Sequence, residues 1–213
     1  MQQRNSAGVV LIAALAFAAC VDGPLEPGTD TGEVAAAGSL EATSAAVTFA
    51  GSLSAAAVSD RSYLPTLDHA SSVALRAVAE AEGQAAASAI QGRYRDLLAQ
   101  AEDAAAAGRY ELARQLQQAA RQLRLETVIH AFGGRVALRL HAVVGERLRA
   151  LEERTAAAAE AGQDVARVQA LLRAATRLHR EAAEALREGH AVGALDADFH
   201  AVDRLNEAAT ALG

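Results

Sequence analysis

HAVGALDADFHAVDRLNEAATAL, residues His190 to Leu212, carries the pattern that settles the fold class. Val192, Leu195, Phe199, Val202, Leu205, Ala209 and Leu212 recur every three or four residues, the spacing that gathers side chains on one face of an α-helix. The segment before it repeats the pattern with Val165, Val168, Leu172, Ala175, Leu178, Ala182 and Leu186. Each stripe has to be buried against a neighbour. Arg177 with Glu181, and Arg180 with Glu184, stand four apart and read as solvated pairs, each contributing only a few tenths of a kcal/mol.

Toward the N-terminus, no proline follows Pro65, and almost no strand pattern interrupts the chain beyond it. Gly108, Gly162 and Gly189 each follow an amphipathic segment and read as helix ends, because glycine tolerates the left-handed backbone that closes a helix. Glu111 and Asp164, soon after two of these glycines, fall in first turns and face the positive end of a helix dipole. The expected architecture is all-α: an antiparallel bundle of long amphipathic helices joined by tight glycine turns, with helices over about 66–107, 109–160, 163–188 and 190–212.

The segment 109–160 leaves two readings open. Its stripe begins as Leu112, Leu116, Ala119 and Leu123, but Val128, Phe132, Val136 and Val143 fall on roughly the opposite face of an unbroken helix. Glycines 108, 134, 162 and 189 are spaced by 26, 28 and 27 residues, which favours regular hairpins with a turn at Gly133-Gly134. Yet the flanking His130-Ala131-Phe132 and Val136-Ala137-Leu138 are not turn-like. The balance falls on one long, kinked central helix.

Composition bounds the function. Hydrophobic residues are 52 % of the chain but aromatics only 3 %, so alanine carries much of the apolar content and the core is thin. All 20 basic residues are arginine, consistent with a GC-rich coding bias. Residues 1–19 hold one Arg and no acid, leaving 19 Arg against 26 acids afterwards, a net charge of −7. That balance argues against nucleic acid as a partner, since phosphate binding needs a basic surface.

The N-terminus has the layout of an export signal: Arg4, then the apolar run Ala7 to Phe17, then Ala18-Ala19 before Cys20. About a dozen apolar residues are too few to span a bilayer, which takes ~20. Phe17-Ala18-Ala19-Cys20 resembles the lipobox of bacterial lipoproteins, although Phe17 stands where that family usually has Leu, Ile or Val. The resemblance implies a signal peptide over 1–19, lipidation of Cys20, and attachment to membrane lipid through its acyl chains. The alternative is an ordinary secretory signal cut at Ala16-Phe17-Ala18, which leaves a free thiol in an exported protein. Val21 follows the cysteine rather than Asp, which by the same resemblance favours the outer membrane, facing the periplasm. Residues 20–62, rich in Ala, Ser and Gly and carrying Pro24 and Pro27, read as the lipidated N-terminus and a flexible tether spanning ~35 Å. A minority reading makes residues 39–57 helical or docked. The folded domain is expected over 63–213.

Ala107-Gly108-Arg109-Tyr110-Glu111-Leu112-Ala113 is similar to the Gly-x-Tyr-x-x-Ala turn of tetratricopeptide repeats, and Ala161 to Ala166 echoes it. The 34-residue period of that family is missing, so the match describes a tight helical hairpin.

Reactive chemistry is sparse. There is no Gly-x-Ser-x-Gly elbow and no lysine for a phosphate loop or Schiff base. Asp68-His69 with Ser71 and Ser72 reads as capping, and Glu152-Glu153 and Asp196/Asp198 as solvated acids. Glu126 with His130, and Asp196 with His200, stand four apart on single helix faces. His130 and His141 would share a face of an unbroken helix, which gives Glu126, His130, His141 and His200 as the residues of an alternative metal- or haem-binding bundle. Against it, no Glu-x-x-His pair of the ferritin-like kind occurs. The expectation is therefore a non-enzymatic lipoprotein of the cell envelope with no cofactor or metal, acting structurally or through helix faces offered to a protein partner or a second copy.

Overall fold

The computed structural model describes residues 63–213. Cys20, the signal and the tether fall outside the described residues. Six helices follow one another within that span: α1 (Leu67–Glu82), α2 (Gln84–Ala106), α3 (Tyr110–Phe132), α4 (Arg135–Glu160), α5 (Ala166–Arg187) and α6 (Ala191–Leu212). The described chain is all-helical and forms a bundle.

α1 starts where the sequence supplies a cap: Thr66 follows the last proline, its hydroxyl accepts from the His69 N–H, and Asp68 occupies the first turn. Ahead of it, Leu64 is buried and its backbone is held at both polar groups by one side chain. Its N–H donates to Asn206 Oδ1 at 3.0 Å, and its carbonyl accepts from Asn206 Nδ2 at 3.0 Å. The beginning of the domain is thereby fixed to the last helix.

α6 lies centrally, touching α3, α4 and α5, and its contact with α5 is the most extensive in the bundle. Ala194, Ala201 and Ala208, seven apart, are fully buried on α6, as are Ala175 and Ala182, also seven apart, on α5. Alanine at such spacing lets two helices approach closely. Leu195, Phe199, Val202 and Leu205 then fill the space toward α3 and α4 together with Leu125, Val128, Leu140, Val144 and Leu151. Every residue of the apolar stripe read on α6 is buried or partly buried. α2 is peripheral, burying only Ala87, Ala101 and Ala104.

The two longest expected helices are each divided. The helix over 66–107 is interrupted at Gly83, which adopts φ 96° and donates its N–H to Ala79 at 3.1 Å. The long helix over 109–160 is likewise two helices, because Gly133 adopts φ 74° and closes α3 with an N–H bond to Ile129 of 2.7 Å. A positive φ costs an L-residue ~1–2 kcal/mol but glycine almost nothing. The break does not account for the stripe that changed faces, since Val128 and Phe132 share α3 with Leu112, Leu116, Ala119 and Leu123. Within α3 the expected face is itself displaced. Leu112 and Ala119 are exposed, whereas Ala113, Ala120, Leu125 and Val128 are buried.

Candidate metal centre

Three helices meet at one polar cluster. Asp198 sits on α6 between Leu195 and Val202, positions that face the core, so its carboxylate is carried inside with them and its side chain is only 1 % exposed. Burying a carboxylate costs several kcal/mol unless it is compensated. Two imidazoles compensate it. His141 Nδ1 of α4 lies 3.0 Å from Asp198 Oδ2, and His179 Nδ1 of α5 lies 3.1 Å from Asp198 Oδ1. A carboxylate only accepts, so each Nδ1 donates its hydrogen to a separate oxygen.

The two rings are stacked, with centroids 3.9 Å apart and planes inclined by 21°. Gly145, one turn after His141 on α4, makes this possible. A Cβ at position 145 would stand 3.1 Å from His179 Nε2 and 3.5 Å from its Cε1. Glycine inside a helix is unfavourable by roughly 0.5–1 kcal/mol relative to alanine. Here it admits the outer edge of His179 against the α4 backbone and leaves Nδ1 turned toward Asp198. The histidine side chains are 23 % and 21 % exposed, against 1 % for Asp198.

Among the described residues, these three form a group whose donor atoms all lie within 4.8 Å of one another. The donor chemistry fits a metal ion. Two ligand atoms bonded to an ion at ~2.1 Å in a tetrahedral set are ~3.4 Å from each other, a few tenths of an ångström beyond the separations that the two hydrogen bonds hold. Two imidazole nitrogens and a carboxylate suit zinc, iron, cobalt or nickel, whereas calcium and magnesium favour all-oxygen sets. With three protein donors, such an ion keeps open positions.

Of the four residues considered from the sequence for a metal, only His141 reaches this centre. Glu126 is exposed and accepts from Gln122 Nε2 within its own helix. His130 meets Glu82 at the end of α1 rather than Glu126. The break at Gly133 separates it from the helix that carries His141. His200 Nε2 lies 3.9 Å from Asp196, which is also paired with Arg121 of α3. Asp196 is thus partly exposed at a helix–helix contact, and Asp198, read as a solvated acid, is buried. Sequence reasoning singles out neither His179 nor Asp198 as a ligand.

Two smaller polar groups lie elsewhere in the bundle. Arg124 of α3 donates from Nε and Nη2 to Ser71 Oγ, pairs with Asp68, and lies over the Tyr94 ring at 5.4 Å. It ties α1, α2 and α3 together around a groove of ≈ 340 Å³. The hydroxyls of Ser71 and Ser72 donate to the Asp68 carbonyl, which accounts for both without catalysis. On α6, Asp203 has its carboxyl pushed above the usual carboxylate value by burial, a shift opposed by the nearby charges of His200, Arg121 and Arg204.

Comparison with protein-family models, with curated proteins and with solved structures gave no match, so the function has to be read from the chemistry of the cluster itself.

Proposed function

We propose that this chain is an exported, lipid-anchored protein of the bacterial cell envelope whose helical bundle binds one divalent first-row transition-metal ion between His141, His179 and Asp198. The observation that carries the metal reading is the arrival of three donor side chains from three helices at ligand spacing, one of them a fully buried carboxylate. Surface histidines that gather by accident do not draw a charge into the core. The role proposed is binding rather than turnover, in keeping with a sequence that offers no activated nucleophile.

The address rests on Phe17-Ala18-Ala19-Cys20 and the apolar run before it. No helix of the described residues is long and apolar enough to cross a membrane. In this reading the attachment is made by acyl chains on Cys20, each buried methylene contributing ~0.8 kcal/mol.

Two measurements test the proposal. Equilibrium dialysis of the full chain against zinc is expected to give one tightly held ion in the wild type and none in His141→Ala, with retained helical circular dichroism showing that the variant is folded. Equal zinc uptake by the two proteins sinks the metal reading. Mass spectrometry of the mature N-terminus should show an acylated Cys20, and Cys20→Ala should leave the membrane fraction. An N-terminus before Ala19, or unchanged membrane attachment of the variant, sinks the lipoprotein reading.

A further inference from the structure

Structural zinc sites use four protein ligands, and small domains built on them unfold when the metal leaves. The cluster here differs in three respects. It offers three donors. Its buried carboxylate is already satisfied by two N–H groups, and among the described residues no buried side-chain nitrogen or oxygen lacks a hydrogen-bond partner. The helices around it are held by an apolar core, with Leu140, Val144, Leu172, Ala175, Phe199 and Val202 buried close in sequence to the three donors.

Resting on the metal reading above, we infer that the centre is an exchange site: it takes up and hands on its ion while the bundle stays folded. The proton balance is simple. An imidazole in its neutral form binds the ion by moving its hydrogen from Nδ1 to Nε2 through solvent, which frees the Nδ1 lone pair. Asp198 keeps its negative charge and trades two N–H bonds for one metal bond. No electron moves and no net proton is released. Gly145 spares His179 Nε2 the contact that a Cβ would make with it at 3.1 Å. The imidazoles are the partly exposed members of the set, and the open positions of a bound ion would take water or the donor atoms of whatever ligand delivers or removes it. A nitrogen- or oxygen-donor chelator is therefore able to attack a bound ion directly.

The full chain in detergent, loaded with zinc and mixed with excess EDTA, tests this. The expected result is complete transfer of zinc within minutes, an unchanged helical circular dichroism spectrum, and full reloading on return to zinc. Zinc retained until the protein is unfolded, or helicity lost as zinc leaves, overturns exchange while leaving the metal centre standing. A chain that takes up no zinc at the start removes both readings together, so the two failures are distinguishable.

Discussion

Replacing Gly145 with alanine separates a built centre from a chance meeting of polar groups. The added Cβ would lie 3.1 Å from His179 Nε2. That is about 0.3–0.4 Å inside ordinary van der Waals contact, so the ring has to withdraw. It has little room, being stacked at 3.9 Å on His141 and bonded at 3.1 Å to Asp198. A hydrogen bond to a charged group contributes ~1.5–3 kcal/mol, and loosening it forfeits about half of that. The helix meanwhile gains ~1 kcal/mol from alanine in place of glycine. The two nearly cancel, so Gly145→Ala should change thermal stability little and weaken zinc binding about tenfold, the equivalent of ~1.4 kcal/mol. Gly92→Ala is the control. Gly92 lies inside α2 with nothing within 4 Å of its added Cβ, so it gains helix propensity alone. It should raise the melting temperature by about 2–4 °C and leave zinc binding unchanged. Paired calorimetric melting and zinc titration of both variants measure this. A Gly145→Ala protein that is stabilised as much as Gly92→Ala and binds zinc equally well would show that the glycine has no part in seating His179.

Other consequences follow from the same contacts. Asp198→Asn replaces the charged acceptor of two hydrogen bonds by a neutral amide and should cost ~1–3 kcal/mol in urea unfolding as well as abolish zinc uptake; a variant as stable as wild type contradicts the bonding described. Phe199→Ala empties a side chain only 1 % exposed and should cost ~3–5 kcal/mol by the same assay. Gly108→Ala meets no atom within 4 Å but forces φ 72° on an alanine, so it should destabilise by ~1 kcal/mol through backbone strain alone. Asp203 holds its proton more tightly folded than unfolded, so its ionisation lowers stability as pH rises from 3.8 through the raised folded value. Asp203→Asn should therefore stabilise the protein at neutral pH and not below pH 3.8, as read from unfolding curves across that range.

The helical class was legible because α5 and α6 carry strict apolar stripes, and those residues are buried or partly buried. The break at Gly133 showed only in the even spacing of the glycines, since the stripe changes face inside α3, between Leu123 and Val128, and the residues flanking Gly133 lack turn chemistry and pull the reading toward one helix. Gly83 left no trace, standing between strong helix formers. In α3 the contrast between faces is weak because alanine serves equally well inside and outside. Asp198, His179 and His141 each left a signal. Asp198 is three after Leu195 and four before Val202, His179 four after Ala175 and three before Ala182, and His141 four after Ala137 and three before Val144. Each is a polar residue on a buried stripe. Which of them meet depends on the relative rotation and height of three helices, and that is set by packing far apart in sequence.

Anomalous diffraction at the zinc edge from crystals of the zinc-loaded protein is the sharpest test of the metal centre. One strong peak is expected between His141 Nδ1, His179 Nδ1 and the Asp198 carboxylate, with bonds of ~2.0–2.2 Å. A peak at His130 and Glu82 or at His200 and Asp196, with none between these three side chains, would contradict it.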